Sequence, residues 1–207
     1  EGDYFALAGL AFNFLVVAVL QNWISLTGGP IGIPGIPRPD IFGLKIITPA
    51  AYAALAGIMA VAIFYFMHRL VSSRYGRVLE ALRDDSVGAE MLGKNVFRLK
   101  MVCFMISTGI AGLGGSLFAH FIQFIDPYSF YLPDLIIALT IVIVGGLASL
   151  SGTLVGTFII LLIPELLRFL PLAPESVGAM RLMVYSVVLV GILLVRPRGL
   201  LGKVDLE

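Results

Sequence analysis

The chain has 207 residues, 59% of them hydrophobic and 13% charged, with a mean hydropathy of +1.01. A soluble domain of this length does not reach such values, so the class is all-α, a polytopic helical membrane protein. A net charge of +1 gives no footing for nucleic-acid binding, and the lone cysteine, Cys103, excludes an intrachain disulfide and a thiolate metal cluster.

The chain starts at Glu1 with no basic region before its first apolar run, so it does not begin with a signal peptide, and further N-terminal sequence is expected. A span needs about 20 apolar residues, because the hydrocarbon core is about 30 Å thick and a helix rises about 1.5 Å per residue. The first predicted span is 4–23, uncharged and closed by Trp23 at the interface. Asn13 within it faces other helices. Residues 24–47 follow as a loop in which Gly28, Gly29, Gly32 and Gly35 alternate with Pro30, Pro34 and Pro37. That density of glycine and proline forbids a helix and favours turns and extended pieces, ordered only if something packs on them. The second span is 48–67, where Ala50, Ala53, Ala54, Gly57 and Ala60 admit close approach by another helix.

Residues 74–100 break the apolar pattern. Val78, Leu79, Leu82, Met91 and Leu92 recur at roughly helical spacing among Arg77, Glu80, Arg83 and Asp84. Asp85-Ser86 offers a cap between two short helices and Gly93 a stop. The charge is too mixed for a lipid-surface anchor. The pattern suits docking into a protein groove, and equally a solvated link between two spans.

The third span is 101–121, with Gly109, Gly112, Gly115 and Ala119 along one side as a packing face. Ser116 and His120 stand four apart and share a helix face, as an intramembrane hydrolase needs; a membrane serine bonding its own backbone is the competing reading. Asp126 and Asp134 fall on the external side. Residues 135–164 carry no charge, and Gly145-Gly146 to Gly152 interrupt them. Two antiparallel helices are predicted, 133–147 and 153–169, with the turn at 149–152. Gly145 and Gly146 fit either an unwound segment lining a pathway or close packing, and Gly152 with Gly156 fits packing. Glu165 and Arg168 are spaced to pair at a span end. The sixth span is 181–195, closed by Arg196-Pro197-Arg198-Gly199.

Ten of the fourteen Lys and Arg residues (Arg69, Arg74, Arg77, Arg83, Lys94, Arg98, Lys100, Arg196, Arg198 and Lys203) lie in the central stretch and the C-terminus. Six spans put both on one side, and the positive-inside bias makes that side cytoplasmic and the Gly/Pro loop external.

Several separated pieces also carry a resemblance. They are Glu80-Ala81-Leu82-Arg83-Asp84-Asp85 with Ala89-Glu90-Met91-Leu92-Gly93-Lys94-Asn95; Leu26-Thr27-Gly28-Gly29 with Gly32-Ile33-Pro34-Gly35; Ala111-Gly112-Leu113-Gly114-Gly115; Ile143-Val144-Gly145-Gly146-Leu147-Ala148-Ser149; and Arg196-Pro197-Arg198-Gly199-Leu200-Leu201-Gly202. Together they cover nearly the whole chain, which resembles the LivM-type permease of branched-chain amino-acid ABC importers. The departures are a shorter N-terminus and an unusual spacing of Glu-Ala and Gly in the central loop.

The resemblance implies one permease domain over 1–207, in the inner membrane of a prokaryote, with a cytoplasmic coupling loop at 74–100. Glu80, Ala81, Arg83, Asp84, Ala89, Glu90 and Gly93 are the expected ATPase-coupling residues. The implied partners are a second permease, two cytoplasmic ATPases, an external binding protein, membrane lipid and the amino-acid substrate. No catalytic residue, metal or cofactor is expected on this chain; ATP and Mg belong to the ATPases, and no Gly-x-x-x-x-Gly-Lys-Ser/Thr loop occurs here. A permease for urea or short amides is the alternative within the class, and a hydrolase or an ATP-independent channel the alternatives outside it.

Overall fold

The structure is a computed structural model that describes residues 2–41, 44–130, 132–168, 174–195 and 199–202. In chain order the helices are α1 (Gly2–Asn22), α2 (Ile24–Thr27), α3 (Pro49–Val71), α4 (Arg74–Asp84), α5 (Ser86–Met91), α6 (Val96–Ile122), α7 (Leu132–Gly145), α8 (Leu150–Arg168) and α9 (Pro174–Val195). Short strands β1 (Ile33–Pro34), β2 (Asp40–Ile41), β3 (Leu44–Lys45) and β4 (Phe124–Ile125) complete them, β1 pairing antiparallel with β4 and β2 with β3. The chain forms two compact units, residues 23–126 and residues 1–22 with 127–207.

A helix occupies each of the six predicted span positions. Judged on the described residues, two of them, α3 with 23 residues and α6 with 27, are long and apolar enough to cross a bilayer unaided. In the second half of the chain the length of α7 is as expected for 133–147, and the position of the break is not. α7 has 14 residues, about 21 Å of helix against a core of about 30 Å. The break comes earlier than predicted, between Gly145 and Leu150, because Gly146 at φ 108° and Ala148 at φ 58° leave the helical region. The expected positions Phe169, Arg196, Arg198 and Lys203 lie outside the described residues, as do the side chains of Asp134 and Arg168.

In the unit 1–22 with 127–207, the core is Val144, Ile160 and Tyr185, one residue each from α7, α8 and α9, with Ile137, Ile141, Val188 and Leu200 packed around it. In the unit 23–126, α3 and α6 bury little. Tyr52 and Ala119 are the buried exceptions among the described residues; the Tyr52 hydroxyl donates to the Leu117 carbonyl on α6, and its ring lies 5.4 Å from that of Phe121. The rest of both helices presents Ile58, Val61, Phe104 and Met105 outward. Only lipid or another protein can cover such a surface.

Candidate functional site

The site begins where α3 ends. The Ser73 hydroxyl accepts from the N–H groups of Tyr75 and Gly76 and caps α4. Gly76 sits so close to Val71 that any Cβ at 76 would overlap its carbonyl; the corner from α3 to α4 therefore requires glycine, and nothing in the sequence signals this. The Tyr75 hydroxyl reaches across and donates to the Leu99 carbonyl at 3.0 Å, tying α4 to α6. Desolvation first and the nearby Cys103 thiol second hold this phenol above its ordinary value, so it stays a donor.

α4 and α5 meet at Asp85, whose carboxylate accepts from the Gly88 N–H at 2.9 Å and caps α5. α5 ends on Gly93 at φ 75°. The Lys94 N–H donates to the Ala89 carbonyl and the Gly93 N–H to that of Glu90, which is the Schellman arrangement for a helix end. Asn95 then caps α6 by accepting from the Arg98 N–H at 2.9 Å. Cap, stop and cap thus hold α5 as a rigid corner between two longer helices.

The apolar residues of this corner divide. Leu82 and Ala89 are buried and fasten the corner to its own unit. Val87, Met91 and Leu92 point away, exposed by 60%, 83% and 81%. Beside them Ala81, Arg83, Asp84, Glu90 and Gly93 are exposed, while Glu80 is half-buried. Arg83 and Asp84 pair with each other at 2.7 Å. The expected coupling residues therefore gather on one corner, except that Ala89 faces inward as packing. The apolar spacing does not single out Val87, which lies off the stripe that runs through Leu82.

The Gly/Pro loop is fastened to the far end of α6. Ile33 pairs with Ile125 and Pro34 with Phe124; the Gly35 and Ile36 N–H groups both donate to the Gln123 carbonyl. Gly28, Gly29, Gly32 and Gly35 all have positive φ, and a Cβ at Gly32 would overlap the Ile125 carbonyl. The ring of His120 bonds through Nδ1 to the Pro37 carbonyl at 2.7 Å. That nitrogen carries the proton, because a carbonyl only accepts. His120 thus holds this loop through Nδ1, which leaves Nε2 as its acceptor nitrogen.

In the α7–α8 hairpin, Gly145, Gly146, Gly152 and Gly156 are buried. A Cβ on Gly156 would lie 2.6 Å from the Ile141 carbonyl, and one on Gly145 would overlap that of Gly152. Ser149 caps α8 by accepting from the Gly152 N–H at 3.0 Å. The last carbonyls of α7 are met by residues from much later in the chain: Leu200 N–H donates to Val144 and Leu201 N–H to Gly145, at 3.0 and 3.1 Å. Gly109, Gly112 and Gly115 differ from these, since each has open space where a Cβ would stand.

Comparison with known proteins gives a consistent result. Residues 1–195 match the family model described as "Branched-chain amino acid transport system / permease component". The chain is 29% identical over 97% of its length to the high-affinity branched-chain amino acid transport system permease protein LivM of Escherichia coli, covering 51% of that protein. It is 29% identical over 91% of its length to the LivH permease protein of the same organism, covering 61% of it. A probable LivM of Methanocaldococcus jannaschii is 23% identical over 97% of the chain. The chain therefore spans about half to three-fifths of these relatives. No solved structure matches it.

Proposed function

The chain belongs to the permease-component family of branched-chain amino acid transport systems, and on that premise we propose that it is part of the membrane pathway of an ABC importer for branched-chain amino acids. It is a transport subunit rather than an enzyme. The importer holds a second permease of the same family, two soluble ATPases that grip the α4–α5 corner, and an external protein that delivers the solute. The corner and the C-terminus face the cytoplasm, the side the excess of Lys and Arg favours.

One observation carries the coupling role: a capped, rigid α5 that leaves Val87, Met91 and Leu92 uncovered in water. Burying Met91 and Leu92 in a partner's groove is worth about 1.5–3 kcal/mol each. A solvated linker has no need of that surface. Force applied to a corner held by Tyr75, Ser73 and two caps passes to α3 and α6 rather than being lost in a flexible loop.

The test is uptake by cells lacking their own permease and supplied with the full-length protein and its partners. Leucine, isoleucine and valine are expected to enter in an ATP-dependent manner and to compete with one another. Uptake of urea or acetamide without leucine uptake would replace the substrate assignment. Leucine entry that persists without ATPases would refute the importer reading.

A further inference from the structure

Between α4 and the start of α6 lies a cleft of about 250 Å³, lined by Tyr75, Lys94, Asn95, Arg98, Leu99 and Val102. We propose that it binds a phosphate group, carried by the headgroup of an anionic phospholipid. The proposal asks only that α6 cross a bilayer and is independent of the solute the assembly carries.

The chemistry comes from two cations in the cleft lining. Lys94 and Arg98 are four residues apart and both exposed. Among the described residues neither pairs with a carboxylate, whereas Arg83 is held by Asp84. An ammonium and a planar guanidinium lining one cleft suit a phosphate, the ammonium as a point charge and the guanidinium through two parallel N–H groups. The start of α6 adds the positive end of a 27-residue helix. The Tyr75 side of the cleft is fixed, because its hydroxyl is already committed to Leu99 and keeps the ring in place.

The position argues for lipid as the source. From Met101 to the end of α6 there is no Asp, Glu, Lys or Arg, so the hydrocarbon begins just past Lys100. Residues 94–100 cover about 9 Å of chain at helical rise, comparable to the polar layer of about 5–8 Å on each side of a bilayer. The cations therefore stand at headgroup depth, with Leu99 and Val102 below them toward the acyl chains. A cleft of about 250 Å³ is below the roughly 300–1,000 Å³ of pockets that enclose whole small solutes, and it suits a headgroup whose tails remain in the membrane.

The test is native mass spectrometry of the assembled full-length transporter, reconstituted with equal phosphatidylglycerol and phosphatidylcholine. The wild type is expected to retain phosphatidylglycerol selectively. Lys94→Ala with Arg98→Ala is expected to weaken that retention about 30-fold, the attraction of two interfacial cations. Exchanging the pair, Lys94→Arg with Arg98→Lys, keeps the charge and is expected to keep the lipid, which separates loss of the site from misfolding. Arg74→Ala with Arg77→Ala removes the same charge from α4 and is expected to have little effect. Equal loss in both alanine pairs would reduce the effect to general attraction and overturn the proposal. So would displacement of the lipid by excess inorganic phosphate, which would assign the cleft to a soluble anion.

Discussion

Gly93 and Gly156 need glycine for opposite reasons, and their substitutions separate the two. At Gly93 φ is 75° and nothing stands near a Cβ, so the cost of a side chain is conformational, about 1–2 kcal/mol for most residues. Gly93→Asn is expected to be tolerated, since Asn visits this region, whereas Gly93→Val loosens the end of α5 and lowers transport coupling while leaving membrane insertion intact. Gly156 has ordinary helical φ but no room, and Gly156→Leu is expected to open the α7–α8 hairpin and cost at least the 1–3 kcal/mol of an overpacked core. Thermal unfolding of the purified protein measures both. Tyr75→Phe removes one hydrogen bond, about 0.5–1.5 kcal/mol. The raised value of this phenol means the folded state favours its neutral form. That contribution is complete below the ordinary value of about 10 and is lost as pH rises through the elevated one. Wild type is therefore expected to lose stability above about pH 10, and Tyr75→Phe to lose less of it over the same range.

The elements show what could be read from the sequence and what could not. Six helices stand where the apolar runs predict them, and the Asp85 cap and Gly93 stop work as read, because period, cap and stop are all local signals. The α7–α8 turn lies about three residues earlier than the glycine pattern predicts, because Ser149 caps α8 rather than opening the turn. Gly76, Tyr52 and the bonds from Leu200 and Leu201 to α7 were not legible, since each depends on which distant backbone comes near. The roles of α5 lead to a second kind of prediction. Met91→Asp with Leu92→Asp is expected to reduce ATPase association with the membrane complex by tenfold or more, since each apolar side chain carries about 1.5–3 kcal/mol. Charge reversal at Glu80 or Arg83 is expected to lower uptake relative to ATP hydrolysis; co-purification and a paired uptake and ATPase assay read these out.

At the scale of the whole molecule, the surface left bare says most. α3 and α6 bury almost none of their side chains within the chain, and Gly109, Gly112 and Gly115 meet nothing. Such a surface is one that lipid or another protein covers. The central claim is that the assembly's motor enters through α4 and α5. The direct measurement is photo-crosslinking from position 91 in the full-length transporter during turnover. The account predicts a crosslink to a soluble ATPase subunit that changes in yield when ATP binds. A crosslink to lipid alone, or to the external binding protein, would contradict it.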